Sequence, residues 1–195
     1  MSLPAKPRTS KGVATRNRIL AHARKTLIDE GYDSLVLRKL ADGIGISLAN
    51  LQYYFGTRDA LLEGLIDVEI ERDIATLERS HARHANPRTA LEAFLRELMN
   101  RWSGEAWRVY ATLNFLANDK HRFQRFYRGI AIRYYAALEE AIARCLPGLP
   151  REVYRDRARI ISALIDGSFR QVAVGPKPAY FRRILNHAVA IALEE

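Results

Sequence analysis

Residues 36–55 read VLRKLADGIGISLANLQYYF, and this stretch decides the architecture of the N-terminal part of the chain. Gly45 supplies the positive φ that a short turn needs, and Ser47 is a suitable cap for the helix that follows. Leu51 and Phe55 stand four residues apart, so they anchor one side of that helix. The inner face of the preceding helix consists of Leu37, Leu40 and Ala41. The pattern predicts a helix-turn-helix.

The residues left on the outer faces suit contact with double-stranded DNA. The N-terminal end of a recognition helix meets base edges in the major groove. We expect hydrogen bonds to bases from Asn50 and Gln52, and contact with thymine methyl groups from Leu48 and Ala49. The expected phosphate contacts are Arg38, Lys39, Ser47, Tyr53, Tyr54 and Arg58. The alternative is a packed helix pair in which the adjacent tyrosines belong to the core.

The charge of the chain also favours a polyanionic partner. The net charge is +9 and the pI is about 9.9. Before Asp29 all seven fixed side-chain charges are positive: Lys6, Arg8, Lys11, Arg16, Arg18, Arg24 and Lys25. We expect residues 1–12 to form a flexible basic arm that grips phosphates, although a solvated tail would show the same composition.

Composition excludes several classes of protein. A hydrophobic content of 48% is that of a globular chain. No apolar run approaches the roughly 20 residues that span a bilayer, and no apolar stretch follows the basic N-terminus as in a secretory signal. The single Cys145 fits a reducing compartment. We expect a cytoplasmic protein without a membrane partner.

Glycine and proline occur at intervals that suit the ends of helices, and no strand-like alternation of apolar and polar residues extends over a useful length. The sequence therefore predicts an all-α chain of about nine helices. Ser34, Thr57 and Asn86 are expected to cap the second, fourth and fifth helices. The predicted helices span residues 15–30, 36–43, 47–53, 57–79, 86–102, 105–117, 122–145, 152–174 and 179 onward.

The flanks of the helix-turn-helix carry a family resemblance. The stretch RIL at 18–20, GY at 31–32, LA at 40–41, GIS at 45–47 and YFGTRDALL at 54–62 resembles the N-terminal domain of TetR-family transcriptional regulators. The resemblance implies a three-helix DNA-binding domain at 13–62. It also implies a larger helical domain for ligand binding and dimerisation at 63–195.

The same resemblance places DNA contacts residue by residue. It carries over Arg38, Ser47, Leu48, Ala49, Asn50, Tyr53, Tyr54 and Arg58. Three positions depart from the family pattern: Leu35 stands where Thr or Ser often caps the second helix, Ile44 where Ala is usual, and Gln52 where Tyr is frequent. Residues 163–170 resemble the penultimate helix of choline-to-betaine regulators, and residues 107–126 are similar in spacing. No ligand is transferred on that basis.

Family resemblance further implies a homodimer built by the last two helices and a small-molecule effector that lowers operator affinity. The candidate dimer face is Ile161, Leu164, Ile165, Phe169, Phe181, Ile184, Leu185 and Ala188. Amphipathicity alone does not separate it from an intramolecular core face. The candidate ligand pocket is Trp102, Trp107, Tyr110, Asn114, Phe115, Tyr134, Tyr135, Asp166 and Phe169. It suits an aromatic cage for a quaternary ammonium, or ordinary core. Asp166 either binds ligand or pairs with Arg170.

The remaining candidates do not point to catalysis. His81 and His84 stand three apart, but no carboxylate or cysteine cluster completes a metal site. No nucleophile motif, phosphate-binding loop or dinucleotide fingerprint is present, so we expect neither an enzyme nor a cofactor. The predicted function is a sequence-specific repressor released from a palindromic operator by a ligand. The alternatives are a small-molecule-binding helical protein or enzyme with a non-functional DNA-binding domain, and a non-specific DNA-coating protein.

Overall fold

The computed structural model describes residues 9–119, 121–171 and 178–194. Within these ranges the regular structure is helical throughout, which confirms the predicted all-α class. None of the helices in this part of the chain is long and apolar enough to cross a membrane. The helices are α1 Ser10–Glu30, α2 Leu37–Gly43, α3 Leu48–Tyr54, α4 Arg58–Arg83, α5 Pro87–Trp102, α6 Ala106–Asp119, α7 His121–Cys145, α8 Arg151–Arg170 and α9 Pro178–Leu193.

The chain divides into two compact units. The first contains the described residues up to Glu69 together with Arg108–Phe126. The second contains Ile70–Trp107 and the described residues from Tyr127 onward. These units differ from the predicted functional domains 13–62 and 63–195, because one segment of α6 and α7 groups with the N-terminal helices. The functional division stays a prediction.

Helix α1 begins earlier than the sequence pattern predicts. Thr9 caps it, with its Oγ1 accepting a hydrogen bond from the Gly12 amide at 3.1 Å. The prediction of a flexible arm is therefore wrong for residues 10–12, which form the first helical turn. This turn is mostly exposed and lacks apolar periodicity, so the pattern gave no sign of it. Residues 1–8 of the predicted arm lie outside the described residues.

The predicted role of Ser34 as a cap is also wrong. Ser34 belongs to a 3₁₀ turn at Tyr32–Ser34, and its Oγ donates to the Glu30 carbonyl at 3.2 Å. Val36 occupies the cap position of α2 without a side-chain hydrogen bond. Leu35, which departs from the family pattern, is fully buried. A core role thus replaces a capping role at this position.

Other local predictions are confirmed. The Thr57 Oγ1 accepts from the Ala60 amide at 3.1 Å, and the Asn86 Oδ1 accepts from the Thr89 amide at 3.2 Å. Helix α4 extends to Arg83, beyond the predicted end near residue 79. Helix α8 is described to Arg170, and its predicted end at residue 174 lies outside the described residues.

Helix α4 buries four carboxylates, an expensive arrangement unless each charge is neutralised. They are Glu63, Asp67, Glu69 and Asp73, of which Asp73 is fully buried. In the first unit Arg24 Nε donates to Glu69 Oε1 at 2.8 Å, and Arg122 binds both oxygens of Glu63 at 2.6 and 2.8 Å. In the second unit Arg101 Nε donates to Asp73 Oδ1 at 2.8 Å.

We predict that Arg101→Met strongly destabilises the fold. The substitution preserves most of the side-chain volume but leaves Asp73 charged in the interior. The expected loss in the free energy of unfolding is about 3–5 kcal/mol, measured by urea denaturation at fixed protein concentration. Arg88→Met is the matched control, since Arg88 makes an exposed pair with Glu92 on the same helix. That change is expected to cost no more than about 0.5 kcal/mol. Equal effects of the two substitutions would contradict the prediction.

Candidate nucleic-acid interface

The helix pair α2–α3 is set by local hydrogen bonds. Ser47 caps α3, because its Oγ accepts from the Asn50 amide at 3.1 Å. Gly45 has φ +68°, the left-handed conformation that the tight turn requires. The Ile46 amide donates to the Ala41 carbonyl at 3.1 Å, which closes the turn onto α2. The predicted turn and cap are confirmed.

The inner side of α3 is closely packed. Leu51 and Phe55 are fully buried, as are Leu40 and Ala41 of α2 to within a few per cent. The Phe55 ring rests against Gly64 of α4: a Cβ added at Gly64 would lie 2.6 Å from Phe55 Cε1. A glycine at this point of α4 therefore lets the end of the α3 segment approach closely.

The other side of α3 is presented to solvent. Ala49, Asn50, Gln52 and Tyr53 are exposed, and Tyr53 has 79% of its surface accessible. Its ring meets that of half-buried Tyr54 edge to face, with centroids 5.2 Å apart. An aromatic core pair is thus ruled out for Tyr53. The polar and small side chains form a continuous outer face, together with exposed Ser47 and half-buried Leu48.

The three basic candidates differ in their surroundings. Arg38 and Lys39 are exposed on α2. Arg58 is already engaged, because its guanidinium lies 4.1 Å from the centroid of the Tyr32 ring and its NH1 lies 3.4 Å from Asp33 Oδ1. Arg58 therefore has less freedom to reach a phosphate than the two residues of α2.

Tyr32 has a structural role that the sequence pattern did not predict. Its hydroxyl donates to Asp59 Oδ1 at 2.7 Å, in the first turn of α4. Partial burial and this hydrogen bond raise the pKa of Tyr32 to about 12. The phenol consequently stays neutral at physiological pH and ties the 3₁₀ turn to the start of α4.

Two contacts from α1 also support the α2–α3 helix pair. The Arg18 NH2 donates to the Ile44 carbonyl at 2.8 Å, and this bond uses only the backbone of Ile44. His22 lies against Gly43, where an added Cβ would be 2.4 Å from its Nε2. Because both contacts join residues more than 20 positions apart, no local pattern reveals them.

The predicted pocket residues are distributed over both units. In the first, Tyr110 is buried, Asn114 is half-buried and Phe115 is 69% exposed. In the second, Trp102 is buried, Trp107, Tyr134 and Tyr135 are half-buried, and Asp166 is exposed. The side chains of Phe169 and Arg170 lie outside the described residues, so the proposed Asp166–Arg170 pair does too. The pocket stays a prediction.

Tyr134 is the member of this set with the most altered acidity. Burial raises its pKa well above the ordinary value for a phenol, and nearby Asp73 and Asp166 act in the same direction. Ser162 of α8 acts on this pKa in the opposite direction. The side chain is therefore a neutral, partly buried polar group within the second unit.

Half of the predicted dimer face is corrected by the structure. Ile161, Ile165, Ile184 and Ala188 are buried within one chain, where α8 packs against α9. They belong to the intramolecular core, the alternative that amphipathicity left open. Leu164, Phe181 and Leu185 are half-buried, and the side chain of Phe169 is not among those described.

The His and Cys candidates show no assembled site. Among the described residues, no group of three His, Cys, Asp or Glu side chains is placed to hold a metal ion. His81 Nδ1 lies 3.0 Å from the Leu77 carbonyl. The Cys145 Sγ donates to the Ala141 carbonyl at 3.3 Å, and burial raises the pKa of its thiol. These contacts suit structural roles.

Comparison with known proteins bears on this geometry. The family model described as bacterial regulatory proteins, tetR family, matches residues 19–65. The HTH-type transcriptional regulator BetI 1 of Chromohalobacter salexigens is 26% identical over 170 residues, covering 83% of this chain and 80% of that protein.

Solved structures share the fold. A TetR transcription regulator from Haloarcula marismortui is 19% identical with a TM-score of 0.75, and the match covers 92% of this chain and 96% of that one. A transcriptional regulator from Saccharomonospora viridis, solved in complex with choline, is 20% identical with a TM-score of 0.71. That match covers 90% of this chain and 93% of the other.

We predict that Gly64→Ala perturbs α3 without touching its outer face. The added methyl group collides with the Phe55 ring, so the expected cost is about 1–3 kcal/mol in the free energy of unfolding. DNA affinity is expected to fall as well. Gly129→Ala in α7 is the matched control, because nothing lies within 4 Å of its added Cβ. That control is expected to be neutral or stabilising by up to about 1 kcal/mol. Urea denaturation and a gel shift measure the two effects, and a Gly64→Ala protein as stable as the parent would contradict the packing argument.

Proposed function

We propose that the chain is a DNA-binding transcriptional regulator of the TetR family, and that it acts as a homodimeric repressor which leaves a palindromic operator when a small molecule binds. The observation that carries the proposal is the outer face of α3, held in place by buried Leu51 and Phe55. A short helix anchored on one side and polar on the other is suited to the major groove.

On this proposal the side chains of α3 divide by chemistry. Asn50 and Gln52 bond to base edges, and Leu48 and Ala49 contact thymine methyl groups. Phosphates are bound by Arg38, Lys39, Ser47, Tyr53 and Tyr54. Arg58 chiefly positions the start of α4, since its guanidinium already stacks on Tyr32.

The first unit also offers a route for ligand control. Arg108 NH1 donates to the Ile28 carbonyl near the end of α1 at 2.7 Å. Arg122 holds Glu63 of α4 through two hydrogen bonds, which raise the pKa of Arg122 above its ordinary value. A ligand that moves α6 or α7 would pull on both α1 and α4. We propose that this shifts the population between operator-binding and released states.

The regulator from Saccharomonospora viridis is described in complex with choline. Quaternary ammonium compounds are therefore the first class to test here, with Trp102, Trp107 and Tyr134 as candidate aromatic partners.

We predict sequence-specific binding to the DNA upstream of the protein's own coding sequence. A gel shift at physiological salt should show a preference of at least about 1,000-fold over scrambled DNA of equal length. Binding without preference would instead support non-specific coating. Ligand binding with no duplex affinity would support a small-molecule-binding helical protein or enzyme with a non-functional DNA-binding domain.

Two variants separate base contacts from phosphate contacts in the same assay. Asn50→Ala is expected to lose about 1–3 kcal/mol of discrimination at one base pair. Lys39→Ala should weaken binding to every sequence and reduce the salt slope by about 1. Arg155→Ala, an exposed arginine of α8, is the control and should change neither property. Uniform weakening by Asn50→Ala would remove that residue from base recognition.

The proposed dimer uses the face of α8 that remains exposed. Ile160 is 51% exposed, and Ala163 and Gly167 are exposed three and seven residues later. Small residues along one stripe let two copies of a helix approach across a two-fold axis. Half-sites on the operator would then lie roughly 34–36 Å apart.

Ile160→Asp is expected to convert the dimer into monomers and to abolish tight binding to a palindrome, because a charge would lie in the apolar interface. Light scattering after size exclusion measures the mass. Ile132→Asp is the matched control, since Ile132 is 63% exposed on α7. A dimeric Ile160→Asp protein beside a monomeric Ile132→Asp protein would place the interface on α7 instead.

A further inference from the structure

A cavity of about 520 Å³ lies between α5 and α9 in the second unit. This volume falls in the range of about 300–1,000 Å³ that is typical of small-molecule sites. From α5 it is lined by Arg96, Met99 and Asn100, with Ser103 at the helix end; from α9 it is lined by Phe181, Arg182, Leu185 and Asn186. None of these residues except Phe181 and Leu185 belongs to a site predicted from the sequence.

The lining is amphipathic. Met99 is 4% exposed, and half-buried Phe181 and Leu185 add apolar surface. Exposed Asn100 and Asn186 supply amide groups on the two opposing helices. The cavity thus combines an apolar wall with hydrogen-bonding groups, the usual make-up of a site that orients a small organic molecule.

The charged side chains that line the cavity are positive. Arg96 and Arg182 contribute a guanidinium from each helix, and no acidic side chain lines it among the described residues. Helix α5 carries two glutamates, neither of which lines the cavity: Glu92 is paired with Arg88, and Glu97 Oε1 lies 3.7 Å from Arg79 NH2. Guanidinium groups recognise carboxylates through paired hydrogen bonds, and they repel a quaternary ammonium.

From this lining we infer that the α5–α9 cavity binds an amphipathic organic anion, a carboxylate carried on a short apolar chain. The carboxylate lies between Arg96 and Arg182, and the chain covers Met99, Phe181 and Leu185. The site is separate from the aromatic set considered for a cationic effector, so its ligand is a second one with the opposite charge.

The test is direct titration of the full chain, without DNA, by isothermal calorimetry at about 150 mM salt, where surface attraction is screened beyond about 8 Å. The probe is sodium octanoate, with octyltrimethylammonium and 1-octanol as probes of equal chain length. Octanoate is expected to bind with a Kd below about 1 mM and at least tenfold more tightly than either comparator. Equal binding of all three would overturn the proposal.

Variants locate the ligand. Arg96→Gln and Arg182→Gln are each expected to weaken octanoate binding about tenfold. Arg128→Gln, at an exposed position of α7 outside the cavity, should leave it unchanged. Asn100→Trp fills the cavity while both charges remain, so it should abolish binding if the chain lies inside. All four changes are at exposed positions, and thermal unfolding checks that each variant is folded.

Parent-like affinity in Asn100→Trp, or in the doubly substituted Arg96→Gln, Arg182→Gln protein, would overturn the assignment. So would an equal loss in Arg128→Gln, which would indicate general charge attraction. Because the titration contains no DNA, failure of the repressor proposal would leave this result intact, and the reverse also holds.

Discussion

The buried carboxylates of α4 constrain which helices surround it. A charge taken out of water costs several kcal/mol unless a partner compensates it, and removing that partner exposes the whole cost. Glu69 requires Arg24 of α1, Glu63 requires Arg122 of α7, and Asp73 requires Arg101 of α5. Apolar packing alone would tolerate several arrangements of similar helices, whereas these pairs join particular positions. Within each unit, these pairs tie the neighbouring helices to the segment of α4 that belongs to that unit.

In the first unit this constraint extends to the support of the outer face of α3. The pairs with Glu69 and Glu63 hold α1 and the start of α7 to α4, while Gly64 between them admits the Phe55 ring. Phe55 and Leu51 fix α3 from below, and Arg18 holds the turn through the Ile44 carbonyl. The outer side chains of α3 remain exposed or half-buried on this support. A rigid support with a free polar face is what a groove-reading helix requires.

Sequence reasoning succeeded where a feature depends on neighbouring residues. The caps at Ser47, Thr57 and Asn86 and the left-handed Gly45 are local, and all four are present. It failed where two local solutions compete: Ser34 bonds back to Glu30 instead of capping α2. Sequence patterns could not predict ion pairs such as that of Arg122 with Glu63, because an arginine and a glutamate separated by 59 positions carry no periodic signal. Burial of Ile161 and Ala188 within one chain was equally undecidable, since a core face and a dimer face have the same composition.

Helix α9 shows why the faces of a helix must be assigned one at a time. Ile184 and Ala188 are buried within one chain, where α9 contacts α8 and α5, so they are unavailable to a second chain. Phe181 and Leu185 turn toward the cavity shared with α5, where Arg96 and Arg182 set the charge. Ala190 of α9 is exposed and lines neither the core nor the cavity. One amphipathic sequence thus serves a core and a cavity wall and leaves a further surface free. Phe181 stands seven residues before buried Ala188 and therefore lies on nearly the same side of α9, so a ligand held between α5 and α9 would reach the edge of the side of α9 that faces the core.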